Sequence, residues 1–289
     1  MKSLLDGELT CFLDAVKSDN TLCLCIRGDY INIYYRGGNL LKIEEQQKQY
    51  KFSFNLGYTQ RYREKIGALA PNDYIGWYEN IPFIKSEMDT WFSKNPKPER
   101  EFQQVILREN NFISTAEHTN YRIADIEYKN NEIGCCFDML ALKYTGKGDS
   151  ARLAYIEVKY GHKALSGDSG LQKHFVDMHR FLSNSDMRQL AFNDAQTTFD
   201  QLKDLGLIKY VKKFPSLSND KAPEFILALA NLPSSNNYLR RIAPIIRSNE
   251  YQQLKELCDV KIAHSSFMGY GLYSDAMVPF EDFVHSLEA

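Results

Sequence analysis

The sequence lacks the features that would mark it as a membrane or secreted protein. No run of about 18 apolar residues is present, which argues against a transmembrane helix. The opening residues, MKSLLDGELTCFLDAVKSDN, carry acids where a secretory signal peptide has its apolar segment. We therefore expect a cytoplasmic protein with no membrane partner.

Cysteine is present, but not in a metal-binding pattern. The 6 cysteines include no CxxC pair, and none of them combines with the 6 histidines in a zinc-ligand spacing. We therefore expect no structural zinc site. Buried free thiols in a reducing compartment are the expected state.

A strong net charge is also absent. The 35 Lys and Arg residues nearly balance the 37 Asp and Glu residues, which leaves a formal net charge of -2. A protein that holds nucleic acid by bulk charge alone would be basic, so any nucleic-acid contact must come from local patches. The balance does not exclude a nuclease, because nuclease sites concentrate carboxylates around metal ions.

The N-terminal part of the chain predicts a small β-rich domain. Four strand-like runs fill residues 20–56, and turns are indicated at Gly28-Asp29 and Gly37-Gly38. A polar stretch with two prolines, residues 93–98, predicts a linker. We therefore predict an N-terminal domain over residues 1–95, with a role in substrate recognition or regulation.

The rest of the chain, residues 96–289, has a different order of elements. A helix is predicted near 99–110, and three strands, two helices and a further strand follow it. Together the two parts predict an α/β (or α+β) protein. The second and third of these strands contain the segments FDMLAL and YIEVK, which place acids inside apolar runs.

Three charged residues on those two strands are expected to lie together. Side chains on a strand alternate between its faces, so Glu157 and Lys159 share one face and Ile156 and Val158 share the other. On the neighbouring strand, Asp138 can point to the same side as Glu157. Two carboxylates within a few Å suit a hard divalent cation with oxygen ligands.

These residue types suit the hydrolysis of a phosphodiester. Mg²⁺ (or Mn²⁺) held by Asp138 and Glu157 would neutralise charge on the phosphoryl oxygens and lower the pKa of a bound water. Lys159 would orient that water or stabilise the charge of the transition state. The backbone carbonyl of Val158 is a candidate for a further metal ligand.

Asp138 in FDMLAL, Glu157 and Lys159 in YIEVK and the order of elements around them resemble the PD-(D/E)XK nuclease superfamily. The resemblance covers roughly residues 99–232, about half of the chain. It implies a restriction-endonuclease-like mixed sheet flanked by helices, with Mg²⁺ or Mn²⁺ as cofactor. Phe137 precedes Asp138 where the motif has a proline, a departure that the superfamily tolerates.

The same resemblance implies two supporting residues. In that superfamily the first helix often supplies a glutamate, for which Glu101 matches best and Glu99 is the alternative. Several branches place a glutamine on the helix after the acid-X-Lys strand, and Gln172 fits that position. His174 and His179 lie on the same predicted helix, where a solvent-facing or core histidine is the favoured interpretation.

Each candidate also has a purely structural interpretation. Asp138 could form a salt bridge to a Lys or Arg, since a charge in an apolar strand needs a partner. Glu157 and Lys159 could form a solvent-facing ion pair. Asp125 is a candidate for an extra ligand, although an acid on the hairpin face is favoured there.

Aromatic and basic residues alternate over residues 50–65 and are candidates for contacts with nucleic acid. Lys51, Arg61 and Arg63 lie in this stretch, and Arg36 in YYRGG is a further candidate. The alternative is a half-buried sheet with Lys and Arg side chains that reach along its surface.

The expected function is a metal-dependent nuclease with DNA as its substrate. Three alternatives stay open: a catalytically silent nucleic-acid-binding or assembly module of the same fold, a nuclease that acts on RNA, and an unrelated protein in which the motif is accidental. The sequence leaves a homodimer open as well.

Overall fold

The computed structural model describes residues 2–47, 49–130, 135–143, 151–160, 170–211, 217–218, 221–230, 242–265, 272 and 277–288. These residues form ten α-helices and two β-sheets. The α/β (α+β) class is therefore confirmed, whereas a restriction-endonuclease-like arrangement stays a prediction. Within the described residues, no helix is long and apolar enough to cross a membrane.

The chain divides into two compact units. The first comprises Met1–Arg108 and Asp200–Ile208, and the second comprises Glu109–Phe199 and Lys209–Ala289. The first unit thus extends beyond residue 95, where the sequence predicts the domain boundary.

The first unit contains a four-stranded antiparallel sheet in the order β1-β2-β3-β4. The four strand-like runs of the sequence become β1 Cys23–Arg27, β2 Tyr30–Tyr35, β3 Gly38–Gln46 and β4 Gln49–Ser53. The helices are α1 Lys2–Asp6, α2 Thr10–Ser18, α3 Arg63–Gly67, α4 Tyr74–Glu79, α5 Ile81–Lys94 and α6 Pro98–Asn111, the last of which ends in the second unit.

The turn between β2 and β3 consists of Arg36 and Gly37, not of Gly37 and Gly38 as the sequence suggests. Both turn residues have positive φ, 47° for Arg36 and 76° for Gly37, as a two-residue hairpin turn of the mirror-image type requires. The Arg36 guanidinium lies 3.0 Å from a carboxylate oxygen of Asp89 and 3.2 Å from one of Glu101. These ion pairs hold the side chain of a residue in a backbone conformation that non-glycine residues seldom adopt.

The second unit contains a six-stranded mixed sheet in the order β10-β9-β8-β7-β6-β5. Strands β5 to β7 are antiparallel to one another, β7, β8 and β9 are parallel, and β10 is antiparallel to β9. The strands are β5 Tyr121–Asn130, β6 Cys135–Lys143, β7 Arg152–Tyr160, β8 Glu224–Ala230, β9 Asp259–Ser265 and β10 Val278–Pro279. The helices are α7 Leu171–Ser183, α8 Ser185–Asp204 (which ends in the first unit), α9 Asn249–Leu254 and α10 Phe280–Glu288.

Helix α7 packs on the central strands of this sheet. Its buried residues include Leu171, Phe175, Met178 and Leu182, which confirms the core stripe that the sequence predicts. The Phe175 ring lies 5.9 Å from Phe225 on β8, and Phe181 lies 5.3 Å from Tyr155 on β7. Every residue of β8 is buried, as expected for a parallel strand that is covered on both faces.

The described cysteines agree only in part with the expected buried thiols. Cys11, Cys23, Cys25, Cys136 and Cys258 are free. Cys23, Cys25 and Cys258 are buried, but Cys136 is exposed and Cys11 is partly exposed. The expectation is therefore wrong for Cys136, which lies at the start of β6.

One buried carboxylate connects five strands at one end of the sheet. The Glu224 side chain is fully buried and lies 2.6 Å from the Tyr121 hydroxyl, 3.1 Å from Lys143, 3.2 Å from Arg152 and 2.7 Å from Lys261. These partners come from β5, β6, β7 and β9, and we call the five residues the Glu224 cluster. Burial would raise the pKa of Glu224, but the hydrogen bonds from Lys261 and Tyr121 and the charges of Lys261 and Lys143 outweigh it, so the pKa is lowered.

We expect Glu224→Gln to destabilise the protein by about 3 kcal/mol or more, because it leaves three half-buried cations without their shared carboxylate. Glu281→Gln, which breaks the more exposed pair with Lys255, serves as the control and should cost under about 1 kcal/mol. Urea denaturation followed by circular dichroism measures both. Equal losses in the two variants would contradict a structural role for the cluster.

The Glu224 cluster should also make stability depend on pH. Because the folded-state pKa of Glu224 lies below its ordinary value of 4.5, its contribution is present above about pH 4.5 and is lost as the pH falls through the folded-state pKa. The stability difference between wild type and Glu224→Gln should therefore be constant above about pH 5 and should narrow as the pH falls below about 4.5. Urea titrations from about pH 6 to about pH 3 test this, and a difference that stays constant over the whole range would refute it.

Candidate functional site

Strands β6 and β7 stop pairing where the predicted site residues begin. Their ladder ends at the pair formed by Met139 and Ile156, and the next residues are Asp138 on β6 and Glu157 on β7. The backbone N–H of Val158 donates to Oδ2 of Asp138 over 2.8 Å. A side-chain carboxyl thus takes the place of a backbone acceptor at this end of the ladder.

The same hydrogen bond indicates the direction of the Val158 carbonyl. The N–H and C=O groups of one strand residue lie on the same edge of the strand. Since the N–H of Val158 faces Asp138 on β6, its C=O faces that strand as well. The oxygen that the sequence suggests as a further ligand therefore lies on the edge where the Asp138 carboxyl is found.

Glu157 and Lys159 share one face of β7, as their spacing predicts. Nζ of Lys159 lies 2.6 Å from Oε1 of Glu157, and each residue is only 4% exposed. Their partners in the register of β8 are Leu227 and Leu229, both buried. The pair is therefore not the solvent-facing ion pair of the structural alternative.

The two carboxyls come together as the sequence predicts. The side chains of Asp138 and Glu157 are within hydrogen-bond reach of each other, which places the two acids side by side. Burial raises the pKa of Glu157, although the Lys159 ammonium, its hydrogen bond and the hydrogen bond from Asp138 act in the opposite direction. Two carboxylates this close repel each other when both are ionised, and a cation between them would relieve that repulsion.

His174 on α7 is the site residue that the sequence reasoning did not favour. Its Nε2 lies 3.1 Å from Oε1 of Glu157, the oxygen that Lys159 also contacts. A signal for this position exists in the sequence. His174 is three residues after Leu171 and four before Met178, so it falls within the buried stripe of the helix.

Gln172 and Glu101 have different partners in the structure. Gln172 is exposed, and its side chain hydrogen-bonds Glu250 on α9. Glu101 belongs to the first unit and pairs with Arg36, whereas Asp138 and Glu157 belong to the second. Supporting roles for Gln172 and Glu101 stay predictions.

Strand β5 adds a further acid at the same level of the sheet. The register pairs Ile126 with Met139 and Tyr128 with Phe137, so Glu127 is opposite Asp138. Glu127 has a φ of 53°, and its charge contributes to the raised pKa of Glu157. Positive φ in a strand is not visible in a sequence, which explains why the residue was missed.

Asp125, the other acid of β5, hydrogen-bonds the backbone of its own strand. It is 3% exposed, and its Oδ1 accepts from the N–H of Ile126 over 2.9 Å. The side chain therefore supports the strand next to Glu127. Its role as an extra ligand stays a prediction.

The predicted nucleic-acid contacts are placed in two different ways. Lys51 on β4, Arg61 before α3 and Arg63 at the start of α3 are exposed. Arg36 is paired with two carboxylates inside the first unit, so its charge is largely compensated. Exposure makes the first three available to a polyanion.

The donor set fits a small divalent cation that keeps part of its water shell. Among the residues that the structure describes, no group of three or more His, Cys, Asp or Glu side chains could hold a metal. Two carboxylates and one backbone carbonyl are nevertheless the kind of set that Mg²⁺ accepts, since it commonly binds one or two carboxylates together with waters and substrate phosphates.

Comparison of the chain with protein-family models, curated proteins and solved structures gives no match. A function for this chain therefore rests on the geometry and chemistry of its own residues.

Proposed function

We propose that the second unit is a metal-dependent nuclease that hydrolyses phosphodiester bonds, with DNA as its substrate and Mg²⁺ or Mn²⁺ as its cation. The observation that carries the proposal is the convergence of Asp138, Glu157 and Lys159 where β6 and β7 separate. A resemblance in the sequence and a contact in three dimensions thus concern the same three residues.

Asp138, Glu157 and the carbonyl of Val158 would hold the cation. Asp138 is fixed by the N–H of Val158, and Glu157 is fixed by Lys159 and His174, so few bonds have to rotate on binding. When bound, the cation supplies charge neutralisation at the phosphoryl oxygens and an acidified water.

Lys159 would act on the nucleophile and on the transition state. Lys159 is 4% exposed and lies beside β8 residues that are apolar, so the field of its ammonium is screened less than that of a surface lysine. A fixed positive charge in such a place orients an attacking water and stabilises charge that develops on the phosphoryl group.

A catalytically silent binding or assembly module is the second candidate. Two observations favour it: the lack of a three-residue metal group among the described residues and a net charge of -2. The buried pair of Lys159 and Glu157 beside the Asp138 carboxyl favours the enzyme, because burying charged groups is costly and such groups are common at functional sites.

We further propose that the protein is cytoplasmic. Cys11, Cys23, Cys25, Cys136 and Cys258 are free, as is usual in a reducing compartment.

Lys159→Ala and Asp138→Asn should each reduce cleavage of DNA by at least about 100-fold, because each removes a charge from the reacting centre. Lys173→Ala, which changes an exposed lysine of α7, should cut like wild type. Labelled single-stranded DNA, double-stranded DNA and RNA are incubated with Mg²⁺, Mn²⁺ or EDTA and separated on gels. Cleavage that survives Lys159→Ala or EDTA would refute the proposal, and faster cutting of RNA would correct its substrate.

His174→Ala should weaken cation binding by about 10-fold to 100-fold, since partners that orient a metal ligand have effects of that size. His174→Gln retains a donor and should recover part of the loss. The control His179→Ala changes the other histidine of α7 and should have no effect. Mn²⁺ binding without substrate is measured by electron paramagnetic resonance, and equal affinities in all four proteins would exclude this positioning role.

A further inference from the structure

Helix α5 carries a stripe of three residues, each four positions after the last: Phe83, Glu87 and Trp91. Residues at this spacing lie on one face of a helix. The chain between residues 54 and 65 lies along this face, as the contacts of each stripe residue show. Phe83 contacts Tyr62, and Trp91 contacts Tyr58.

Glu87 fixes the middle of this chain segment. It is 3% exposed, and its carboxylate accepts hydrogen bonds from three consecutive backbone N–H groups, those of Gln60, Arg61 and Tyr62. The bonds from Arg61 and Tyr62 measure 3.0 Å and 3.1 Å. Three successive donors on one anion hold the backbone in a single conformation.

Aromatic rings flank the fixed backbone on both sides. The Tyr62 and Phe83 rings lie 5.0 Å apart in an edge-to-face contact, and the Tyr58 and Trp91 rings lie 4.9 Å apart. All four residues are partly exposed. The positions of Phe83 and Trp91 are about 12 Å apart along the helix axis, at 1.5 Å per residue.

Cations line the same segment. Arg61, Arg63 and Lys65 are exposed, whereas Glu64 is the one acid among residues 60–66. The Arg61 guanidinium lies 5.1 Å from the Tyr62 ring centroid, and Nζ of Lys65 lies 3.4 Å from that of Phe83. A local positive charge therefore alternates with ring faces on a chain whose net charge is -2.

We propose that this surface binds single-stranded nucleic acid. We call it the cationic–aromatic strip and define it by Tyr58, Arg61, Tyr62, Arg63, Lys65, Phe83 and Trp91. Partly exposed rings accept bases by stacking, and cations between them pair with phosphates, which is how sequence-independent single-strand binding works. A duplex hides the faces of its bases, so it can use the cations but not the rings. The strip deepens the proposed nuclease function by naming the strand state that the first unit holds.

The test uses the full chain in EDTA, so that binding is measured without cleavage. Fluorescence anisotropy with a labelled oligothymidylate gives Kd over a range of salt concentrations. The triple variant R61A/R63A/K65A should bind at least about 30-fold more weakly and should lower the slope of log Kd against log salt by about 2, because each lost phosphate contact on a single strand contributes about 0.7.

A matched triple variant controls for bulk charge. K2A/K17A/K94A removes three exposed lysines of the same unit and should bind within about threefold of wild type. For stacking, Trp91→Leu should weaken binding by about tenfold, whereas Trp91→Phe keeps a ring and should retain most of it. Circular dichroism confirms that each variant is folded.

Three results would overturn the proposal: no weakening in R61A/R63A/K65A, equal weakening in the two triple variants, or tighter binding of a duplex than of its separated strand. Polyglutamate serves as a competitor at an equal concentration of charge. If it displaced the oligonucleotide, the result would overturn the proposal and indicate an acidic protein partner. Because the binding assay contains EDTA, the two proposals fail separately. A protein that binds single strands but never cuts would refute only the nuclease proposal. A protein that cuts DNA but whose variant R61A/R63A/K65A binds as tightly as wild type would refute only the proposal for the strip.

Discussion

The hydrogen bond from the Val158 N–H to the Asp138 carboxyl is the contact on which the candidate site depends. Because Asp138 satisfies that donor, β6 does not have to continue its ladder, and the two strands can separate without leaving a buried backbone group unpaired. The gap this leaves is where Glu157 and Lys159 meet. The residue that makes the gap is thus also one of its proposed cation ligands.

The two ends of β7 differ in the balance between buried anions and the cations that pair with them. At the Arg152 end, Glu224 is surrounded by three cations and a tyrosine hydroxyl, and it has a lowered pKa. At the Lys159 end, about 23 Å away by strand rise, Glu157 pairs with one lysine beside the Asp138 carboxyl, and the pKa of Glu157 is raised. The first arrangement satisfies its anion within the fold, whereas the second has an excess of acceptors. Only the second favours an added cation, which is why the site is assigned there.

The sequence could predict which charged strand residues form the site, but not the contacts that depend on how the elements pack. The period of two on a strand is local, so the shared face of Glu157 and Lys159 follows from their spacing. The register that leaves Asp138 just beyond the last pair depends on long-range strand pairing. His174 reaches Glu157 only because of how α7 lies on the sheet, and the positive φ of Glu127 depends on its neighbours. Tertiary packing decides all three.

The same limit explains why the basic residues of the first unit could not be sorted from the sequence. Arg36 and Arg61 both follow or precede tyrosines, yet Arg36 is compensated by acids from α5 and α6, whereas Arg61 lies on a ring at the surface. A nearly neutral chain presents positive charge only where its acids are engaged elsewhere. Beneath the strip the acid is Glu87, whose carboxylate accepts hydrogen bonds from three backbone N–H groups. The buried carboxylate therefore fixes the backbone of the segment, while the side chains of Arg61, Arg63 and Lys65 stay at the surface.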